Sequence, residues 1–324
     1  MVMKNKGIVF FLIILAIVIV TVVTYDYYSS KPDELPANPY ALDADPFARI
    51  DTSLIMFNES RDLAINFSEP SGMCFQDGKI FVVGDQKMQI IEPSGKLIKE
   101  VPFDQKPTCV FVSQKNIFIG FRKSVSVLNS DGLKIADWNT FSDSTVITSI
   151  AEKSEMVFVA DAGKRIVRKF TLQGKPMGEI AGKSGNDQIH GFIIPSPYFE
   201  LAVNPDGELW IVNPGKHSLE NYTLNGELRT WWKATSVRVE GFSGCCNPAY
   251  FAFLPDGCFV TSEKGTIRVK IYKPSGEFLG IVAAPSKFKE NSHAPDLAVD
   301  NQGNIYVLDM DRKMVRLFVR KEKR

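Results

Sequence analysis

The stretch "AYFAFLPDGCFVTSEKGTIRVKIYKPSGEFLGIVA", Ala249 to Ala283, reads as four short strands and their turns. An apolar run breaks at Asp256-Gly257, a turn dipeptide. A β-rich strand follows and ends at Glu263. In the next run Ile267, Val269 and Ile271 alternate with Arg268, Lys270 and Tyr272, the period of a strand with two distinct faces. A Gly-containing turn at Pro274–Gly276 then leads to a last apolar run.

The same unit recurs along the chain. The marker position of its first turn falls at Gly78, Asn116, Glu155, Gly207, Gly257 and Gly303, at spacings of 38, 39, 52, 50 and 46 residues. Four strands per unit at this period indicate propeller blades. The fold class expected is all-β, a six-bladed propeller. The sixth unit stops after its third strand, "MVRLFV". Its missing outer strand is expected from "RDLAINF", Arg61–Phe67, which would clasp the two ends and remove an exposed edge.

The "DG" turns at Asp77-Gly78, Asp206-Gly207 and Asp256-Gly257, with endings such as "FVADAGKRIVRKF" and "IYVLDMDRKMVRLF", resemble NHL repeats. The resemblance covers roughly residues 60–319 and implies a propeller. Repeat two, "IFIGFRKSVSVL", departs most from the pattern. The set "PSPYFELAV", "NPGKH", "GCCNP", "TSEKG" and "RVK" further resembles bacterial exported or membrane-anchored NHL-type proteins. Propellers host many activities, so the likeness bears on fold more than on function. Six-bladed relatives include metal-dependent lactonases and a peptide-amidating lyase, which place metal ligands around the channel mouth.

The N-terminus carries "GIVFFLIILAIVIVTVV", Gly7–Val23, without a charge. Lys4 and Lys6 precede it, three tyrosines (Tyr25, Tyr27, Tyr28) follow, and no small-residue cleavage site is present. The reading is a cytoplasmic N-terminus (1–6), a transmembrane signal anchor (7–25), a Pro-containing linker (26–58) and the propeller (59–324). The chain is then a single-pass inner-membrane protein with the propeller in the periplasm or extracellular space. With 38 basic and 37 acidic residues, it lacks the basic excess of a nucleic-acid binder.

Candidate site residues concentrate in the connections. Cys245 and Cys246 are adjacent in a turn, and thiols outside the cytosol tend to oxidise. A vicinal disulfide is expected. Separate pairings with Cys258, Cys74 or Cys109, and a metal site with His293, are the alternatives. Asp161, Asn213, Glu263 and Asp309 end second strands, where a short acceptor serves backbone N–H groups. Glu263, Lys264, Arg268 and Lys270 cluster either as a hairpin with cross-strand ion pairs or as an anion-binding group. A ligand surface is expected from Cys245, Cys246, Asn247, Glu263, Lys264, Arg268, His217, His293, Tyr198, Trp231 and Trp232. His190, His293 and Asp296 are weak metal candidates; no cofactor is expected, a divalent metal being the alternative. The functional expectation is a propeller that binds a protein or small-molecule ligand at its loop face, with a metal-dependent or redox-associated enzyme as the rival.

Overall fold

The structure, a computed structural model, describes residues 6–29, 50–182, 191–290 and 292–322. His190 and the linker prolines lie outside the described residues. The chain divides into two units, Met1–Ala44 and Asp45–Arg324.

In the first unit, Lys6–Ser29 forms one helix of 24 residues with no buried side chain. At 1.5 Å per residue it is about 36 Å long, enough to cross a bilayer core of about 30 Å. The helix runs past Tyr25 because nothing in the Tyr-rich segment breaks it. Ser29 Oγ donates to the Tyr25 carbonyl at 2.7 Å.

The second unit is a ring of six four-stranded antiparallel sheets. Blades one to five span 70–102, 107–138, 147–180, 201–233 and 250–283. Blade six is built from Asp296–Val299, Ile305–Asp309 and Met314–Arg320, with Phe57–Ala64 as its outer strand. Within each blade the first strand lies innermost. In such a meander the start of the first strand and the end of the second share one face of the ring, together with the incoming connection.

One apolar cluster fills each gap between neighbouring blades. Ile80, Val82 and Met73 of blade one meet Leu308, Tyr306 and Val315 of blade six. Val260, Val269 and Ile271 of blade five meet Ile305, Val307 and Phe318 on the other side of blade six. The remaining four gaps are closed in the same way. This is why the strands alternate yet carry apolar residues on both faces.

The clasp strand begins four residues earlier than Arg61–Phe67. Pairing runs from Phe57 opposite Arg320 to Ala64 opposite Met314, with a bulge between Glu59 and Arg61. The bulge shifts the side-chain phase by one. Phe57 therefore packs into the cluster between blades five and six, and Leu63 into the cluster between six and one. Phe67 has left the clasp and is buried beside blade one, under the Lys87 ammonium. Arg316 ties the clasp to its blade, donating to Glu59 at 2.6 Å and to Asp309 at 3.2 Å.

Deleting Phe57–Ala64 removes two fully buried side chains and exposes a sheet edge. Each such side chain is worth about 1.5–3 kcal/mol. The thermal midpoint of the deleted chain is expected to fall by roughly 10 °C or more; an unchanged calorimetric transition would show that closure does not hold the ring.

Candidate functional site

In blades three and four the acceptor that ends the second strand gathers the incoming connection of its own blade, and in blade six it holds the turn that follows. Asp161 is fully buried and accepts from Thr145 Oγ1 at 2.8 Å, Val146 N at 3.1 Å and Arg168 Nε at 3.1 Å. Asn213 accepts from Ile193 N at 2.9 Å. Asp309 accepts from Arg312 N at 3.0 Å and from Arg316. These residues satisfy backbone and neighbouring cations, which accounts for their recurrence.

Blade five replaces this short acceptor with Glu263 and uses two cations. Glu263, Arg268 and Lys270 are all at most 1% exposed. Arg268 grips Glu263 with two bonds, Nε at 2.7 Å and Nη2 at 2.8 Å, and Lys270 Nζ lies 2.9 Å from the same carboxylate. The surplus positive charge meets carbonyls of the connection instead. Lys270 donates to Gly241 O at 2.6 Å, and Arg268 to Arg238 O at 3.2 Å and Gly241 O at 3.3 Å. The Lys270 ammonium also lies 4.4 Å from the centre of the Phe242 ring. Burial, opposed by Glu263, holds the Lys270 amine down at about 8. Gly241 is required there, since a Cβ would stand 2.6 Å from Ser236 N. Glu263, Arg268 and Lys270 thus anchor a loop and present nothing to solvent.

The anchored loop carries the cysteines. His217, in the left-handed region at φ 55°, bonds through Nε2 to the Gly244 carbonyl. Its Nδ1 lies 3.2 Å from Thr235 Oγ1. Asn247 donates to Ser243 O at 2.6 Å and accepts from Lys264 N at 2.8 Å. Between these ties the Cys245 and Cys246 sulfurs stand 3.1 Å apart, as thiols, with Lys264 Nζ 3.8 Å from Cys246 Sγ. Lys264 also sits over Tyr198, whose ring meets Tyr250 edge-on at 5.5 Å.

Tyr250 leads into the central channel. A cavity of about 310 Å³ is lined by the innermost strands of all six blades. A mouth pocket of about 560 Å³ shares Ser71 and Tyr250 with it and adds Tyr198, Lys106, His293, Asp311 and Lys313. Glu200 and Asp296 line the upper channel. Glu200 accepts from Ser149 Oγ and from Leu201 N at 3.3 Å. Asp296 accepts from Met73 N and Leu297 N, both at 2.7 Å. Among the described residues no lysine or arginine forms an ion pair with either carboxyl. Burial, then repulsion from Asp296, holds the Glu200 carboxyl well above the usual range. Burial outweighs two backbone donors to push Asp296 up to about 7.

Tyr198, His293, Asp296, Lys264, Cys245, Cys246 and Asn247 therefore gather around the mouth, with His217 behind the cysteine loop. His293 is exposed and held by Asp311, its backbone N donating to Oδ2 at 2.8 Å. Trp231 and Trp232 separate. Strand alternation leaves Trp231 53% exposed and buries Trp232 at 7% among Phe242, Phe259 and Tyr272. Trp232 is a core residue of the gap between blades four and five, not part of a binding surface. Among the described residues no three His, Cys, Asp or Glu side chains converge as metal ligands. Glu200 and Tyr250 went unread in the sequence. The signal was there: "FELAV" and "PDLAV" place an acid at the same point before two innermost strands, and Tyr250 holds that point in blade five.

No protein-family model matches the sequence, and no curated protein matches it. Solved structures do resemble the fold. A streptogramin B lyase is 14% identical with a TM-score of 0.59, the match covering 84% of this chain and all of that one. The virginiamycin B lyase of Staphylococcus aureus is 16% identical at TM-score 0.56, over 83% and 90% of the two chains. A Bacteroides thetaiotaomicron protein of unknown function is 13% identical at 0.55, over 82% and 73%. Likeness at these identities establishes the propeller fold alone.

Glu263→Gln leaves two buried cations without a counter-charge and is expected to cost about 3 kcal/mol in chemical denaturation. Lys270→Met should cost less, because Glu263 keeps its two-pronged partner Arg268. The wild-type chain should gain stability as pH rises from about 8 towards 10.5, where the unfolded lysine still binds a proton that the folded one has lost. Lys270→Met should abolish that rise.

Proposed function

We propose that this chain is a membrane-anchored, outward-facing propeller that binds a small cationic ligand at its channel mouth. The observation that carries the reading is the pair of carboxyls, Glu200 and Asp296, set in an open channel without a cationic side-chain partner among the described residues. Two like charges in a poorly solvated site are costly, and a bound cation offsets that cost. Tyr250 lines the channel with the pair and supplies an aromatic surface suited to an ammonium group. The apolar helix supports membrane attachment, and Lys4 and Lys6 ahead of it support an N-terminus on the cytoplasmic side.

The same pair favours a second reading. A carboxyl held near 7, beside a second one, is matched to general acid–base chemistry at neutral pH. Two of the fold's structural neighbours are lyases. In that reading Asp296 takes or returns the proton, Glu200 tunes it, and the mouth still selects a cationic substrate.

The raised Asp296 fixes the sign of a pH test. The folded carboxyl holds its proton up to about 7, while the unfolded one releases it near 3.9. Stability should therefore fall as pH rises between those limits, by at most about 1.4 kcal/mol per pH unit from Asp296, and the raised Glu200 adds to the same fall. Thermal unfolding of the full chain in detergent is expected to show this slope, and Glu200→Gln/Asp296→Asn to flatten it. At pH 8 putrescine should raise the wild-type midpoint and leave the double variant unmoved. A shift with calcium chloride but not putrescine would turn the reading to a metal; no shift with either would overturn it.

A further inference from the structure

The cysteine pair has features that no part of the ligand-binding reading uses. The Cys245 and Cys246 sulfurs are 3.1 Å apart, Cys245 is exposed and Cys246 is only 2% exposed. The loop is held on both sides of the pair, at Gly244 by His217 and at Asn247 by Ser243 and Lys264. It is fastened from below by Arg268 and Lys270 through Gly241. The sulfurs are thus kept together by contacts that do not involve either sulfur. Burial raises the Cys246 thiol above its usual range, and Lys264 Nζ, at 3.8 Å, opposes that shift.

The other three cysteines have a different setting. Cys74 and Cys109 lie in innermost strands, and burial pushes Cys74 up to about 12 and Cys109 higher still. Cys258 lies just before the second strand of blade five, at the opposite face of the ring from the Cys245–Cys246 loop. Four strand residues, Phe259–Ser262, separate it from the loop's anchors, about 13 Å at 3.3 Å per residue. That separation argues against a bridge to Cys246, since bridged cysteines have Cα atoms within about 7 Å. Of the five thiols only Cys245 is both exposed and adjacent to a second sulfur.

We infer that Cys245 and Cys246 form a reversible dithiol–disulfide switch at the channel mouth, oxidised by exchange with an external disulfide. The Cys245 thiolate attacks one sulfur of the oxidant, its S–S bond breaks, and one thiolate leaves. The Cys246 thiolate then attacks the Cys245 sulfur of the mixed disulfide, closing the vicinal S–S bond and expelling the second thiolate. The protein loses two electrons and two protons, and the oxidant's disulfide becomes two thiols. Strained, exposed disulfides reduce readily, so an external dithiol reverses the step. Ring closure removes the Cys246 thiol as a partner of Lys264, which also lies 5.6 Å from the Tyr198 ring centre. The redox state is thereby passed to the wall of the mouth. The switch itself does not depend on what the channel binds.

The test uses the full chain in detergent, reduced, then exposed to oxidised glutathione, alkylated under denaturing conditions and digested with trypsin. The Val239–Lys264 peptide holds Cys245, Cys246 and Cys258. After oxidation it should lack the mass of two hydrogens and carry one alkyl group, on Cys258; after reductant, three. Cys246→Ser should trap a stable glutathione adduct on Cys245, and Cys245→Ser should trap none. Lys264→Met should slow ring closure several-fold while leaving the first attack unchanged. Alkylation of both Cys245 and Cys246 in the oxidised wild-type chain would overturn the inference, as would a disulfide linking either to Cys258 or to a second chain.

Discussion

A four-stranded sheet with apolar residues on both faces cannot stand alone in water, and every blade here is such a sheet. Its only cover is a neighbouring blade, so the ring is stable only when all six gaps are filled. The last gaps depend on a strand from the other end of the domain. Phe57 and Leu63 serve opposite faces of that strand because a bulge at Glu59–Arg61 changes the phase between them. Closure is therefore a sequence-distant event. It couples the clasp, the buried Arg316 with its three carboxylate partners, and the innermost strands that define the channel.

Closure also concentrates polar groups in one place. All six innermost strands start at the same face, so whatever residue begins them collects at one mouth. Several of these starts bond across blades. Ser71 donates to Pro107 O at 2.7 Å, Thr148 to Phe199 O at 2.7 Å, Ser262 to Pro295 O at 2.7 Å, and Met73 N to Asp296. Asp296 thus has two jobs, a seam between blades six and one and a wall of the channel. Glu200 does the same between blades three and four, its carboxyl accepting from Ser149 Oγ and Leu201 N.

The fold was readable in the sequence because its determinants are local. Turn glycines such as Gly207 and Gly257 need a positive φ and mark each unit, and alternation marks each strand. The clasp was displaced by four residues because a bulge leaves no trace in a hydrophobic pattern. The acidic pair was hidden for a different reason. Glu200 and Asp296 look like turn residues in one dimension, and only the ring makes them neighbours. Trp231-Trp232 shows the converse: two identical side chains whose fates are opposite because a strand has a period of two.

Blade five shows how one departure from the repeat reshapes the mouth. A short Asp at the end of the second strand can hold a short connection through its own oxygens, as Asp161 does. Blade five reaches its own connection by a different route. Glu263 instead holds two cations, and the cations hold the carbonyls of Arg238 and Gly241. A buried set with one excess positive charge is an expensive way to fasten a loop when neutral groups could do so. What distinguishes the ionic solution is rigidity, since several short bonds fix the carbonyls from two directions. The segment that follows carries Cys245 and Cys246 to within bonding reach of each other, beside Lys264 and Tyr198. Two thiols on a slack loop would meet only occasionally, and an exposed cysteine would be capped by whatever thiol it encountered. On a fastened loop the second sulfur is always the nearest nucleophile, so the energetic cost of the buried triad becomes chemical selectivity at the mouth.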